Sequence, residues 1–298
     1  MLSARVRCLL LLVCVAASTA AGTAQTRTQG RERLLFVTAL DSAGKPVASL
    51  DPKDVIVRED GVAREVLKVE KATQPMQIAL VVDNTQNATD SIRDIRDAIA
   101  KFIGLIGQQH EIAIISVAER PTILTDYTTN RELLKQGVGK LFARSDSGST
   151  LLETLMETAR GIRRRETIRP VIIALMTDGV EFSTDHYDAV LKSLHEAGTA
   201  LHVLVLDRPG VEPNTQEVRY RAVVYDRGTR ETGGRHETLL TSMAFGDELA
   251  KLAAELSNQF AVTYGAPQTL IPPKRIEVRS AKDGLTVRGM AAPVKGAK

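Results

Sequence analysis

Oxygen-bearing side chains occupy alternate positions in the stretch "ALVVDNTQNATD", directly after a run of apolar residues. They are Asp83, Thr85 and Asn87. Further along the chain, Ser149 and Thr150 lie in "SDSGSTLL" and Asp178 lies in "LMTDGVEFS", and both stretches are polar loops beside apolar runs. Carboxylate, hydroxyl and amide oxygens are hard ligands, which suit Mg²⁺, Mn²⁺ or Ca²⁺ better than zinc. The two carboxylates and the polar side chains of these three loops are therefore candidate metal ligands.

The elements that must position these residues follow from the hydrophobic pattern of residues 76–265. "MQIALVVD", "EIAIISVA", "PVIIALMTD" and "ALHVLVLD" are continuous apolar runs, which are typical of strands buried on both faces of a parallel sheet. Segments with helical spacing separate them, and "QFAVTYG" is predicted to be the last strand. The pattern predicts an α/β domain with a mostly parallel sheet and helices on both faces. Ligands bind such sheets at the carboxyl ends of strands, where Asp83 and Asp178 would lie.

The segments on either side of this domain have β character. Residues 33–71 contain Asp60-Gly61, a dipeptide that favours a two-residue hairpin turn, and residues 268–290 contain a similar turn at Asp283-Gly284. Neither segment is long enough to bury a core alone. We therefore expect the two segments to pair in one small β unit, separate from the α/β domain.

The first 24 residues are predicted to be a signal peptide. Arg5 and Arg7 precede the apolar run "CLLLLVCVAA", and small residues allow cleavage after Ala24. The run is short for a membrane span, although a retained anchor is the alternative. We expect an exported protein, periplasmic or secreted, with no membrane span after cleavage. Cys8 and Cys14 both lie in this segment, so the mature chain would contain no disulfide or thiolate site.

Composition and motifs argue against several classes of function. The net charge is only +3, aromatic residues make up 4% of the chain and Trp is absent, so nucleic-acid binding is not expected. "DNTQNA" has no glycine for a dinucleotide-binding turn, and Thr85 stands where an aspartyl phosphatase would have a second carboxylate. No G-x-S-x-G elbow accompanies the histidines. A metal-assisted hydrolase is the least supported alternative, because no general base or nucleophile is evident. We therefore predict a protein that is not an enzyme.

The order D-x-T-x-N, G-S-T and T-D-G resembles the metal-ion-dependent adhesion site of von Willebrand factor A-type domains. The family pattern is D-x-S-x-S, then a Thr, then an Asp, on three loops of a Rossmann-like fold. Asp83 matches the first Asp, while Thr85 and Asn87 stand in the places of the two Ser residues. Thr150 and Asp178 match the family Thr and Asp.

The resemblance covers residues 76–265, and the segment before it also has a counterpart. That segment is similar to the one found in a bacterial, acidobacterial-type group of von Willebrand factor A-related proteins. Residues 41–50 fit D-x-x-G-x-P-V-x-x-L, and residues 54–61 fit D-F-x-V-x-E-D-G with Val55 in place of Phe.

The resemblance implies a function. The five residues would hold a divalent cation, Mg²⁺ first and Mn²⁺ or Ca²⁺ as alternatives, and an Asp or Glu of a protein partner would complete its coordination. The prediction is a non-enzymatic interaction module with a degenerate site. Because Asn87 departs from the pattern, the alternative is a metal-free scaffold with a vestigial site. If Asp83 and Asp178 converge, they repel each other without a cation, so Asp83→Ala is expected to leave metal-free stability unchanged or to raise it.

Overall fold

The structure is a computed structural model that describes residues 31–207, 214–268, 273 and 275–291. The predicted signal peptide lies outside these residues. Within these ranges, no helix combines the length and the apolar character that crossing a membrane requires.

Strands and helices alternate through the middle of the chain, and strands dominate at both ends. In the part that the structure describes, the strands are β1 (Arg31–Leu40), β2 (Val55–Glu59), β3 (Val62–Arg64), β4 (Val66–Lys71), β5 (Gln77–Val82), β6 (Glu111–Ser116), β7 (Thr122–Thr128), β8 (Pro170–Thr177), β9 (Ala200–Leu206), β10 (His236–Leu239), β11 (Phe260–Ala266), β12 (Ile276–Ser280) and β13 (Thr286–Ala291). The helices are α1 (Ile92–Leu105), α2 (Arg131–Gly139), α3 (Leu151–Arg164), α4 (Tyr187–Ala197), α5 (Gln216–Val223), α6 (Thr229–Glu231) and α7 (Ala244–Ser257). A π-helical turn, Val224–Gly228, joins α5 to α6.

The predicted α/β fold is confirmed. A six-stranded sheet has the order β10-β9-β8-β5-β6-β7, and every pairing is parallel except that of the edge strand β7. All eight residues of β8 are buried, as expected for a strand covered on both faces. One buried cluster packs α1, α2 and α7 against one face, and a second packs α3 and α4 against the other. The carboxyl ends of β5, β6, β8 and β9 thus share one edge of the sheet.

The N-terminal and C-terminal strands form two smaller sheets. One has the order β13-β1-β11-β4 and the other the order β12-β2-β3. The C-terminal strands β12 and β13 pair antiparallel with the N-terminal strands β2 and β1, respectively. Asp60 and Gly61 connect β2 to β3 with φ angles of 49° and 83°, the positive values that a type I′ hairpin turn requires.

The strand β11 differs from the prediction. The sequence places it last in the α/β domain, whereas it lies between β1 and β4 in the four-stranded sheet. Its Val262 and Tyr264 are fully buried in a core shared with Leu35 and Val57. Periodicity identifies a buried strand but does not identify the sheet that it joins. In the ladder between β11 and β4, Phe260 stands opposite Lys71.

Buried polar contacts attach the four-stranded sheet to the α/β sheet. Arg169, which precedes β8 and is 4% exposed, donates to Oε1 of Gln259 at 3.1 and 2.8 Å and to the carbonyl of Leu256 at 2.6 Å. Gln259 in turn donates to the hydroxyl of Thr38 at 3.0 Å. The two sheets are thus joined by a satisfied hydrogen-bond network, which orients them more strictly than apolar packing alone.

Candidate functional site

The carboxylate of Asp83 lies directly after β5 and is fixed by three donors. The Thr85 N–H donates to its Oδ1 at 2.8 Å, and the N–H and hydroxyl of Thr177 donate to its Oδ2 at 3.0 and 2.6 Å. The side chain is buried, and its own N–H donates to the carbonyl of Leu175 at 2.8 Å. Asp83 therefore has one orientation, set by the ends of β5 and β8.

The neighbouring residue, Asn84, ties three loops together. Its Oδ1 accepts the Ala118 N–H at 3.0 Å, and its Nδ2 donates to the carbonyl of Phe142 at 3.1 Å. The Arg144 N–H donates to the Asn84 carbonyl at 2.9 Å. These bonds hold the loops that follow β6 and precede α3 against the loop that carries Asp83. This role was not predicted from the sequence, because Asn84 lies between the alternating positions of the candidate ligands.

Thr150 precedes α3 and faces the end of β6. Its N–H and its hydroxyl both donate to the carbonyl of Val117, at 3.0 and 2.9 Å, and the side chain makes no capping bond to the helix. The Val117 N–H donates to the Val82 carbonyl at 3.2 Å. Val117 thus links Thr150 to Val82, the residue before Asp83. Because the Thr150 hydroxyl acts as a donor here, the lone pairs of its oxygen remain available.

Asp178 and Asn87 are brought together by a direct hydrogen bond. The Nδ2 of Asn87 donates to the backbone carbonyl of Asp178 at 2.5 Å. This contact depends on Gly179, because a Cβ at that position would lie 1.8 Å from the same Nδ2. The Nδ2 of Asn87 is thus engaged in this hydrogen bond. Its Oδ1 is the atom that could accept a hydrogen bond or bind a metal ion. The Asp178 side chain is largely buried.

Hydrogen bonds thus connect the loops that carry the predicted ligands. Thr85 is buried, and its hydroxyl makes no hydrogen bond with any residue that the structure describes. Two carboxylates, two hydroxyls and an amide oxygen form a donor set that fits a hard divalent cation. Within the described ranges, no group of three or more His, Cys, Asp and Glu residues could hold a metal.

A buried polar cluster beside the site was not predicted. Glu181 and Arg221 are 3% and 1% exposed and approach each other at 3.7 Å. Burial raises the pKa of Glu181, although hydrogen bonds from Ser183 and the charge of Arg221 oppose the shift. Burial also raises the pKa of Tyr225 in the π-helical turn, and the charges of nearby acidic residues, Glu181 and Asp83 among them, add to it. No sequence motif marks these residues, because their contacts join loops far apart in the chain.

A mostly parallel sheet with three polar loops at its carboxyl edge defines a Rossmann-like domain. Residues 78–181 match the sequence model of the von Willebrand factor type A domain, and this range includes all five predicted ligands. The chain contains a domain of the von Willebrand factor type A family. No curated protein matches the chain in sequence.

Solved structures share the fold at low sequence identity. A von Willebrand factor type A protein from Catenulispora acidiphila is 10% identical with a TM-score of 0.50, over 90% of this chain and 75% of that chain. BatB from Bacteroides thetaiotaomicron is 12% identical with a TM-score of 0.47, over 61% and 100%. The PilB minor pilin from Streptococcus sanguinis is 10% identical with a TM-score of 0.46, over 62% of each chain. The first likeness shows a common fold, and the two lower TM-scores add nothing to it.

Proposed function

We propose that this protein is an exported, non-enzymatic interaction module that binds an acidic side chain of a protein partner through a divalent cation. Mg²⁺ is the first candidate, with Mn²⁺ or Ca²⁺ as alternatives. The observation that supports the proposal is the Asp83 carboxylate, oriented by three donors beside a Thr85 hydroxyl that has no partner among the described residues. Von Willebrand factor A domains commonly serve as protein-interaction modules.

Each residue has a distinct part in the proposed site. Asp83 and Asp178 supply negative charge, while the hydroxyls of Thr85 and Thr150 and the Oδ1 of Asn87 supply neutral oxygens. A bound divalent cation would keep a coordination position open, and a partner carboxylate would be attracted to that position because carboxylate oxygens are ligands that hard cations prefer. The proposal assigns these residues to binding and assigns no catalytic step to any of them.

A second candidate is a metal-free scaffold in which the loops themselves form the binding surface. A specific observation favours it. Thr177 donates twice to Asp83, and Asn87 donates to the Asp178 carbonyl, so direct hydrogen bonds already join the loops. Loops held in this way keep their arrangement without a cation.

Thr85→Val separates the two candidates. The substitution is nearly isosteric and removes a hydroxyl that makes no hydrogen bond with the described residues, so the variant should melt like wild type in chelator. We expect millimolar Mg²⁺, Mn²⁺ or Ca²⁺ to raise the Tm of wild type and to raise that of Thr85→Val less. A cation that binds only the folded state stabilises it by about 2.7 kcal/mol at a hundredfold excess over its Kd.

The matched control is Thr122→Val, which removes a hydroxyl on the edge strand β7 that donates to the Arg120 carbonyl at 3.3 Å. This variant should keep the full metal-dependent shift of Tm. If none of the three cations shifts the Tm of wild type, the metal-dependent function is excluded and the metal-free scaffold stands.

A further inference from the structure

The N-terminus of α3 is capped by a residue from another loop. Thr is a preferred capping residue, and Thr150 occupies the N-cap position of α3, yet its side chain makes no capping bond. The N–H of Glu153, in the first turn of the helix, donates instead to the hydroxyl oxygen of Ser183 at 3.2 Å. Ser183 belongs to the loop between β8 and α4. A hydroxyl from this loop thus does what the Thr150 hydroxyl would ordinarily do.

Capping and metal binding make competing demands on a threonine hydroxyl. A capping hydroxyl turns towards the helix and accepts a backbone N–H through one of the two lone pairs of its oxygen. A metal ligand must direct a lone pair at the cation instead. The Thr150 hydroxyl donates to the Val117 carbonyl at 2.9 Å, so it engages the end of β6 and not the first turn of α3. Its oxygen is spared the capping bond because Ser183 supplies the cap.

Backbone hydrogen bonds hold Ser183 next to the start of α3. The Ser149 N–H donates to the Val180 carbonyl at 2.8 Å, and the Phe182 N–H donates to the Ser149 carbonyl at 2.7 Å. Ser149 directly precedes Thr150, and Phe182 directly precedes Ser183. These two bonds therefore fix the capping hydroxyl and the candidate ligand relative to each other. Ser183 is only 2% exposed, so water does not replace it easily as a cap.

A buried ion pair also restrains Ser183. Its N–H donates to Oε1 of Glu181 at 3.3 Å, and the Glu181 carboxylate lies 3.7 Å from the guanidinium of Arg221 in α5. Glu181 and Arg221 are both buried, where a charge is tolerated only with partners of this kind. The ion pair thus fixes the loop from which Ser183 reaches α3.

We propose that Ser183 is a positioning residue of the cation site, because it caps α3 in place of Thr150 and leaves the Thr150 oxygen to the cation. Without the Ser183 hydroxyl, the N–H of Glu153 loses its acceptor, and Thr150 stands at the N-cap position from which a hydroxyl accepts such an N–H. The inference rests on the proposed function, since it concerns the affinity for a bound cation. Ser183 itself makes no contact with the cation in this arrangement.

Ser183→Ala tests the inference through the affinity for a cation. The Kd for Mg²⁺, and separately for Mn²⁺, is obtained from the dependence of the Tm on the cation concentration. We expect the Kd of the variant to be about tenfold higher than that of wild type, which corresponds to about 1.4 kcal/mol. The reason is that the Thr150 hydroxyl turns towards the helix and must leave it before it binds the cation.

Asn130→Ala is the matched control. Asn130 caps α2 by accepting the N–H groups of Glu132 and Leu133 at 3.0 and 3.3 Å. Both substitutions remove a helix cap, and both should lower the Tm in chelator. Only Ser183→Ala should change the Kd for the cation. An equal change of Kd in the two variants would overturn the inference, because a general loss of stability would then explain it.

A double-mutant cycle in chelator tests the exchange of caps without a cation. It combines Ser183→Ala with Thr150→Val, which removes the second hydroxyl. If Thr150 takes over the cap in Ser183→Ala, its hydroxyl then makes two bonds, one to the Val117 carbonyl and one from the Glu153 N–H. The double variant should therefore lose more Tm than the two single variants together. Additive losses would show that Thr150 does not replace Ser183, and would overturn the inference.

The outcomes distinguish this inference from the function on which it rests. If cations raise the Tm of wild type and Ser183→Ala keeps the wild-type Kd, Ser183 does not position Thr150, and the cation site remains. If no cation shifts the Tm of wild type, the metal-dependent function is excluded and the inference is excluded with it.

Discussion

Thr177 donates two hydrogen bonds to one oxygen of Asp83, from its N–H at 3.0 Å and from its hydroxyl at 2.6 Å. The Thr85 N–H donates to the other oxygen at 2.8 Å. The charge of Asp83 is therefore compensated by protein donors that are in place without a cation. The sequence, considered alone, predicts repulsion between Asp83 and Asp178 as the main effect, and these donors change that expectation.

We expect Asp83→Ala to lower the free energy of unfolding in chelator by about 3 kcal/mol, because it leaves buried donors without an acceptor. Asp83→Asn is the matched variant. It keeps the size of the side chain and one carbonyl oxygen, so its loss should be smaller. Urea denaturation of the three proteins in chelator measures both changes. If Asp83→Ala is as stable as wild type or more stable, the repulsion between Asp83 and Asp178 outweighs the hydrogen bonds to Asp83.

Thr177→Val removes the hydroxyl that donates to Asp83 and keeps the β-branched shape. Hydrogen bonds to charged groups contribute about 1.5–3 kcal/mol, so we expect a loss of that order in the free energy of unfolding. The hydroxyl of Thr122 donates to a neutral carbonyl on the surface, and Thr122→Val should change stability by less than about 0.5 kcal/mol. Equal effects of the two substitutions would mean that the Thr177 hydroxyl does not orient Asp83.

Gly179→Ala should disturb the contact between Asn87 and the Asp178 carbonyl, because the added Cβ would lie 1.8 Å from the Asn87 amide nitrogen. Overpacking of this kind costs about 1–3 kcal/mol. In an Asn87→Ser background the space is open, and the cost should largely disappear, which a double-mutant cycle measures. Gly161→Ala in α3 meets no atom within 4 Å and should stabilise the helix by up to about 1 kcal/mol.

The stability of the protein should fall as the pH decreases from 6.5 to 4. The Nδ1 of His110 accepts the Met76 N–H at 3.0 Å, which requires an uncharged acceptor nitrogen. Burial lowers the pKa of His110 to about 4 from an ordinary 6.5, and the charges of Arg169 and Arg131 add to this effect. Between these values the unfolded chain binds more protons than the folded chain, so acid favours unfolding.

His110→Asn tests this pH dependence, because its side-chain oxygen can accept the same N–H without titrating. Urea denaturation across this pH range should show a shallower decline for the variant. Part of the decline should remain, since burial also lowers the pKa of His202. If His110→Asn and wild type show the same dependence of stability on pH, protonation of His110 does not cause the decline.

Export remains a prediction of the sequence. We expect the mature protein to begin near Gln25, because small residues follow the apolar run and permit cleavage after Ala24. N-terminal sequencing of the protein from the periplasm or the medium measures the cleavage position. Recovery of residues 1–24 on the protein in a membrane fraction would support the retained anchor instead.

Local features of this chain could be predicted from the sequence because their causes are local. The Asp60-Gly61 turn follows from two residues that tolerate positive φ, and Asn130 caps α2 by accepting the N–H groups of Glu132 and Leu133. The buried runs of the α/β sheet were equally evident, because each is nearly all apolar. These patterns were enough to place Asp83 and Asp178 at one edge of the sheet.

The features that the sequence did not reveal depend on contacts between distant segments. Thr177 lies next to a predicted ligand, yet its bond to Asp83 exists only because β5 and β8 are neighbours. The pair formed by Glu181 and Arg221 likewise joins two segments with no common motif. The edge strand β7, Thr122–Thr128, was missed because none of its residues is buried and its apolar pattern is weak.

The pairing of Lys71 with Phe260 has a consequence for the order of folding. The chain leaves the four-stranded sheet at Lys71 and returns to it at the residue directly opposite, so the whole α/β block is, in topology, the loop of a long hairpin. Because the two ends of this block lie next to each other, the block can fold through contacts within itself. The strands β1 to β4 emerge first from the ribosome but must wait for β11 to β13, which gives this part of the molecule a high contact order. Until the last strands arrive, the nascent chain carries open strand edges, the feature that favours pairing with other chains.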